Sequence, residues 1–168
     1  LLGRRQRQMC IRDRFKEDQR AGQGTFLGSD GYKYVGEWAE GQIQGAGEVT
    51  YPDGSFYAGN FVNGLASGTG KIQYPDGSVY EGEWKAGVIE GIGRAQYSNG
   101  VVYEGGFKNA RNHGFGIMDY GNGYIYEGDW KDGNRHGKGV SKFADGMVYE
   151  GDYLNGKRHG IGKICLLY

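Results

Sequence analysis

The sequence predicts an all-β protein built from 23-residue β-hairpin repeats. Three observations lead to this prediction: a strict repeat, strands that alternate between packing and polar residues, and turn signals at fixed positions. The repeat is marked by tyrosines that follow one another every 23 residues without insertion or deletion, at Tyr34, Tyr57, Tyr80, Tyr103, Tyr126 and Tyr149. A fixed period of this length is typical of repeat architectures.

The first strand of each repeat alternates, as in the segment YEGEW at residues 80–84. Successive strand residues point to opposite faces, so Tyr80, Gly82 and Trp84 share one face. Glu81 and Glu83 share the other. We therefore expect one face to pack and one to meet water.

Two turns complete each repeat. The first turn carries pairs such as Asn63-Gly64, which accept positive φ in a tight hairpin. The second turn follows an aromatic residue and carries Asp-Gly or Asn-Gly, as at Asp76-Gly77. In the fourth repeat Ala110 replaces the glycine of the first turn, so we expect that turn to be the most strained.

Glycines recur inside the strands, although glycine there costs about 0.5 to 1 kcal/mol relative to alanine. We expect the second strand to begin with a Gly-x-Gly motif, such as Gly114 and Gly116, and each first strand has one glycine, such as Gly105. An aromatic ring can cover the bare backbone of a strand glycine. The rings that we expect to do so end the first strands: Trp38, Phe61, Trp84, Phe107, Trp130 and Tyr153.

The bulk composition favours a folded, soluble, intracellular protein. Glycine accounts for 35 residues and proline for only two, while aromatics reach 14%, which excludes a disordered linker or collagen. No apolar run approaches the ~20 residues of a membrane span, and the first residues lack the apolar segment of a signal peptide.

The two ends of the sequence differ from the repeats. The segments MCIRDR (residues 9–14) and CLLY (residues 165–168) match translations of the two strands of a common transposon-end adaptor. We therefore expect residues 1–14 and 165–168 to be sequencing-adaptor artefacts, with a basic tail and an apolar final strand as the alternative. Without residues 1–14, 15 Lys plus Arg stand against 19 Asp plus Glu, a formal charge of about −4. That charge argues against a nucleic-acid partner.

The recurring polar residues do not predict catalysis or a cofactor. His113, His136 and His159 share one repeat position and should lie about 10 Å apart, whereas zinc ligands lie about 2 Å from one ion. No metal site is expected. The carboxylates form a row among lysines, typical of a solvated, salt-bridged face, and serine or cysteine nucleophiles beside a histidine are missing. We expect no enzyme activity.

One edge of the array changes character between the first turn and the Gly-x-Gly motif. In repeats one to three it is largely apolar, and in repeats four to six it is basic. Drift among exposed residues is one explanation; a two-part docking edge is the other. The predicted protein-docking residues are Ile43, Leu65, Val88 and Ile89. The predicted anion-binding residues are Arg111, His113, Arg135, His136, Lys138, Lys157, Arg158 and His159.

The pattern Y-E-G-[ED]-[WFY]-x-x-G, then [HG]-G-x-G, then D-G, resembles the MORN (membrane occupation and recognition nexus) repeat family. The resemblance implies an elongated, twisted, single-layer antiparallel sheet of stacked hairpins, roughly 60 Å long at ~4.8 Å per strand. Residues 15–33 would form a lead-in and half repeat (the half repeat from residue 22), and residues 34–164 six repeats: 34–56, 57–79, 80–102, 103–125, 126–148 and 149–164. The residues expected to carry the structure are Tyr80, Gly82, Trp84, Gly105, Phe107, Gly114, Gly116 and Trp130.

The resemblance favours a non-enzymatic scaffold or adaptor that binds proteins and can self-associate. One alternative is a peripheral module for anionic phospholipid. Another is the regulatory repeat region of a larger enzyme, such as a phosphoinositide kinase or a SET-domain methyltransferase. Family members occur in cytoskeletal, ciliary and membrane-junction proteins, which implies a cytoplasmic location with cytoskeletal, ciliary or membrane-peripheral settings.

Overall fold

A computed structural model describes residues 14–166 and gives one 13-stranded antiparallel sheet in which each strand pairs with its neighbours in the chain. A two-stranded hairpin, β1 and β2, precedes it. The predicted fold of stacked hairpins in a single open sheet is confirmed. Within residues 14–166, no helix is long and apolar enough to cross a membrane. The strands are β1 (Phe15–Lys16), β2 (Gln19–Arg20), β3 (Gly22–Leu27), β4 (Lys33–Ala39), β5 (Gln42–Thr50), β6 (Phe56–Val62), β7 (Leu65–Gln73), β8 (Val79–Lys85), β9 (Val88–Gln96), β10 (Val102–Lys108), β11 (Arg111–Asp119), β12 (Ile125–Lys131), β13 (Asn134–Lys142), β14 (Met147–Leu154) and β15 (Lys157–Leu166).

The second strand of each hairpin is longer than expected. In the fourth repeat, β11 begins at Arg111 and contains Gly114 and Gly116 in its interior, so the prediction that this strand begins at the Gly-x-Gly motif was wrong. The residues of β11 before the motif pair with the end of β10 close to the first turn, where Lys108 faces Arg111. A β-bulge between Gly105 and Phe107 then shifts the pairing register. The first glycine of the motif lies at this irregularity, with Gly114 at φ 72°.

One glycine from each strand of the large sheet lies in a single continuous row. Gly105, for example, pairs with Gly93 on one side and with Gly116 on the other. A Cβ atom on Gly105 would lie 2.4 Å from the Gly116 Cα and 2.6 Å from the Phe115 carbonyl oxygen. Backbone blocks a side chain here, so the close approach of the strands requires glycine. The glycine row is Gly24, Gly36, Gly47, Gly59, Gly70, Gly82, Gly93, Gly105, Gly116, Gly128, Gly139, Gly151 and Gly162.

The rings that cover this row are the repeat tyrosines, so the prediction that Trp38, Phe61, Trp84, Phe107, Trp130 and Tyr153 cover the glycines was wrong. A Cβ atom on either Gly82 or Gly93 would lie 2.5 Å from the hydroxyl of Tyr80. That hydroxyl donates to the Glu83 carbonyl oxygen at 2.9 Å. Tyrosine has this role because its hydroxyl can reach across the glycines to the carbonyl at the bulge. The other five repeat tyrosines donate to the equivalent carbonyls of Glu37, Asn60, Gly106, Asp129 and Asp152.

The six rings that end the first strands instead link neighbouring tyrosines. The centroid of Tyr80 lies 5.6 Å from Trp84 and 5.0 Å from Phe107, with interplanar angles of 76° and 80°. Edge-to-face pairs of this kind contribute about 0.5 to 1.5 kcal/mol beyond the buried area. The tyrosines and these rings form one file along the sheet, and we call the face that carries it the ring face. The core of the protein lies there.

The turns follow the sequence signals. In the fourth repeat Asn109 and Ala110 have φ of 49° and 57°, and Ala110 stands where the other five full repeats have a glycine in the same region. The left-handed conformation costs an alanine roughly 1 to 2 kcal/mol, so the expected strain at Ala110 is confirmed. In the second turns a carboxylate or amide side chain fixes the backbone, as when Asp53 accepts from the Ser55 amide at 2.8 Å.

Candidate binding surfaces

The predicted protein-docking residues are divided between the two faces of the sheet. Leu65 and Val88 are 50% and 40% exposed at the starts of β7 and β9. Ile43 and Ile89 follow the opposite alternation and pair with Trp38 and Trp84 on the ring face, where Ile89 is only 9% exposed.

The third residue of this edge connects one repeat to the next. The Gln44 side-chain oxygen accepts from the Asn63 amide at 2.9 Å, and the Ser67 hydroxyl accepts from the Ala86 amide at 3.3 Å. In repeat four, His113 Nδ1 takes the same place against the Asp132 amide at 3.5 Å. This position therefore supports the first turn of the following hairpin.

The remaining two histidines continue the row without joining one site. His136 is half-buried, and its Nδ1 has no hydrogen-bond partner among the described residues. His159 is exposed on the last strand. No group of three or more His, Cys, Asp or Glu side chains within residues 14–166 is arranged to hold a metal ion.

Of the predicted anion-binding residues, Arg135, Lys157 and Arg158 line one groove and the others lie apart from it. Lys138 lies on the face opposite the rings and pairs with Asp152 at 2.5 Å, which lowers the pKa of the Asp152 carboxyl and raises that of Lys138. Arg135 and Arg158 lie on the ring face, with Arg158 over the ring of Tyr149 at 5.1 Å. Arg111 and Lys157 are exposed at the starts of β11 and β15.

Arg135 anchors a polar network that sequence reasoning missed. One guanidinium nitrogen donates to the Tyr124 hydroxyl and the other donates to the Gly156 carbonyl oxygen at 2.6 Å. The buried Ser141 hydroxyl lies 2.8 Å from the Tyr124 hydroxyl and 2.6 Å from that of Tyr153. The available signal was a joint departure from the repeat pattern: Ser141 stands where other repeats have an apolar residue, and Tyr153 where they have Trp or Phe.

The face opposite the rings is mixed in character. Exposed ion pairs join Lys71 to Glu81 at 3.1 Å and Lys142 to Glu127 at 3.5 Å, as the predicted salt-bridged face requires. Some of its carboxylates also have a backbone role that we did not predict. Asp129, for instance, accepts from the Lys138 amide at 3.0 Å, across the bulge.

The same face contains an apolar notch formed by Ile92, Gly106, Phe115 and Ile117. Gly106 replaces the acidic or amide residue that the other repeats have at this position, and a Cβ there would lie 2.2 Å from the His113 carbonyl oxygen. No side chain therefore stands between Ile92 and Phe115, which are 62% and 59% exposed, beside Ile117 at 41%. The cavity here measures about 570 Å³. The sequence signal was the Gly-Gly pair in YEGGF, residues 103–107.

Comparison with known proteins gives a family and a fold. The family model of the MORN repeat matches residues 14–31, 34–56, 57–79, 80–102, 103–123, 126–148 and 149–165. The lead-in, including β1 and β2, thus falls within the first matched repeat, which begins before residue 22. No curated protein matches significantly.

Two solved structures match this chain in a comparison of structures. One is the TCP domain of SAS-4 (dCPAP) of Drosophila melanogaster in complex with a proline-rich motif of Ana2 (dSTIL). It is 16% identical, with a TM-score of 0.50, and the match covers 90% of this chain and 84% of that one. The other is the TCP10 domain of Danio rerio CPAP, 18% identical, with a TM-score of 0.32 and coverage of 79% and 68%. The matched repeats, the 23-residue register and the sheet of stacked hairpins lead to one conclusion: the chain belongs to the MORN repeat family.

Proposed function

We propose that this chain is a non-enzymatic scaffold that docks a segment of a partner protein over the apolar notch. The observation that carries the proposal is the contrast between the faces at repeats three and four. The ring face packs its file of repeat tyrosines and strand-end rings against the chain itself, whereas Ile92 on β9 and Phe115 and Ile117 on β11 face solvent on either side of β10. Clusters of exposed apolar side chains with a polar rim are typical of protein interfaces.

The notch suits an extended segment with apolar and basic residues. Its floor is the glycine row, so a partner backbone can approach closely. Glu83 and Glu104 are exposed beside it, and carboxylates at the rim favour a basic partner and speed its association. Polyproline segments commonly dock on grooves lined by aromatic side chains, and Phe115 supplies one here. The proline-rich motif held by the Drosophila TCP domain supports proline as the first chemistry to test.

The setting that we propose is cytoplasmic, in a cytoskeletal, ciliary or membrane-peripheral assembly, on the strength of the family resemblance. The basic residues predicted for the phospholipid alternative do not form one continuous edge, because Lys138 pairs with Asp152 on the face opposite Arg135 and Arg158.

The test is a selection of binders from a displayed library of proline-rich peptides, followed by fluorescence anisotropy with the selected peptides. Ile92→Ser with Phe115→Ser should weaken binding at least tenfold, because apolar anchors near the centre of an interface contribute most of the affinity. The matched control is Leu65→Ser with Val88→Ser, which removes two exposed apolar residues from the predicted docking edge. It should leave binding unchanged.

The opposite result would move the docking site to the Leu65–Val88 edge. Docking on this face would be contradicted if the parent chain and both double variants bound the peptides with equal affinity, or if no peptide were selected.

A further inference from the structure

At repeats five and six the ring face contains a groove of about 550 Å³ that no other observation explains. Aromatic rings line it, among them Tyr120, Tyr124 and Phe143, and the centroid of Tyr124 lies 5.0 Å from each of the other two. The cations of Arg135, Lys157 and Arg158 also line it. Its size falls within the ~300 to 1,000 Å³ of small-molecule sites.

The three cations have no carboxylate partner among the described residues. Arg135 is half-buried, and its guanidinium donates hydrogen bonds to two neutral acceptors, the Tyr124 hydroxyl and the Gly156 carbonyl. Its guanidinium carbon lies 5.3 Å from the centroid of Tyr153 and 5.6 Å from that of Tyr126. Partly burying a charge without a counterion is costly, so an anion that entered the groove would supply the counterion that Arg135 lacks.

The fold itself does not require arginine at this position. Repeats one to three place Ile43, Ala66 and Ile89 there, paired with the same ring position of the first strand. In the lead-in, Arg20 lies over Trp38 at 4.8 Å. At repeats five and six, two arginines and a lysine line one groove. The cations are therefore a local addition to a scaffold that folds with apolar residues.

We propose that this groove binds an oxyanion, a phosphate ester or a carboxylate, carried on an aromatic or apolar body. The planar guanidinium forks of Arg135 and Arg158 match the oxygens of such a group, while the rings would contact the body. The site lies on the face opposite the apolar notch, so its existence does not depend on the function proposed above.

The probe is phenyl phosphate, titrated by calorimetry into the full chain. Lys157→Gln with Arg158→Gln alters two exposed residues, so the fold should persist and the dissociation constant should rise at least tenfold. The matched control is Lys108→Gln with Lys131→Gln, which removes two exposed lysines elsewhere and should change the constant less than twofold. A third variant, Arg135→Met, should also lose binding, with its melting curve recorded alongside.

Absence of phenyl phosphate binding, or equal weakening in both double variants, would overturn the proposal. Sedimentation with phosphatidylserine–phosphatidylcholine vesicles identifies the source of the oxyanion. Sedimentation that Lys157→Gln with Arg158→Gln abolishes would assign a lipid headgroup. Phenyl phosphate binding without sedimentation would assign a soluble or protein-borne ester.

Discussion

At repeats three and four, the two faces of the glycine row show how a single-layer sheet separates the residues that stabilise it from those available for protein docking. On the ring face, each repeat tyrosine lies over two paired glycines and is held by a hydroxyl bond to the bulge carbonyl. On the other face the same glycines leave bare backbone between exposed side chains. The residues that hold the fold and those available to a partner protein therefore alternate along β9, β10 and β11, and substitutions on the two faces should change the free energy of unfolding to different extents.

The largest effect should come from filling the glycine row. Gly105→Val would drive a side chain into the Gly116 backbone at 2.4 Å, and overpacking of this kind costs about 1 to 3 kcal/mol or more. Glu104→Gln, the adjacent residue on the opposite face, should change the free energy of unfolding by less than ~0.5 kcal/mol. Urea denaturation of both variants makes the comparison. Similar losses would show that the glycine row has no special role.

High pH should unfold the protein through the ring face. Burial raises the pKa of Tyr34, Tyr57 and Tyr80 from 10.0 to about 12. Below pH 10 both the folded and the unfolded chain keep these protons, so stability is complete. Between pH 10 and 12 the unfolded chain loses protons that the folded chain retains, so stability falls. Urea midpoints across this range should decrease; a constant midpoint would contradict burial of the tyrosines.

Removing one tyrosine hydroxyl should have a smaller effect. Tyr103→Phe deletes the hydrogen bond to the Gly106 carbonyl at 2.9 Å, and a buried hydrogen bond contributes about 1 kcal/mol. Tyr97→Phe is the control, because Tyr97 is 38% exposed and its hydroxyl has no hydrogen-bond partner among the described residues. Its unfolding free energy should match that of the parent. A loss at Tyr97 as large as at Tyr103 would remove the distinction between the two tyrosines.

The smallest effect should be a gain at the strained turn. Ala110→Gly removes the steric strain of an alanine at φ 57°. Glycine also has a larger entropy cost on folding, so the free energy of unfolding should rise by about 0.5 to 1 kcal/mol in total. Gly133→Ala places alanine at the same turn position of the next repeat and should lower the free energy of unfolding by a similar amount. Thermal unfolding compares the stability of the two variants with that of the parent chain. A lower stability in Ala110→Gly would rule out strain at this turn.

Periodicity was enough to predict the hairpins, the 23-residue repeat and the two faces, because alternation and turn residues act locally. It did not identify the covering ring. The repeat tyrosine and the aromatic residue that ends the first strand share a face in every repeat. Which of the two rings covers the glycines depends on the tyrosine hydroxyl, which in the third repeat donates from Tyr80 to the Glu83 carbonyl oxygen. That acceptor exists only after the bulge forms.

The binding surfaces were harder to predict for a related reason. The predicted edge grouped consecutive residues such as Val88 and Ile89, which the strand sends to opposite faces. The apolar notch joins Ile92 and Phe115 from different strands around Gly106. The groove joins Tyr124, in the turn before β12, to Arg135 on β13 and Arg158 on β15. Such sites depend on cross-strand pairing, and they appear in the sequence only as departures from the repeat.

Two phenylalanines on neighbouring strands allow the most direct test of the separation between faces. Phe107 is 7% exposed on the ring face and Phe115 is 59% exposed on the other. The free energy of unfolding should fall by about 3 to 5 kcal/mol in Phe107→Ala, as for other buried phenylalanines, and by less than ~0.5 kcal/mol in Phe115→Ala. Equal losses in the two variants would contradict the account, because Phe115 would then belong to the core and not to a surface open to a partner.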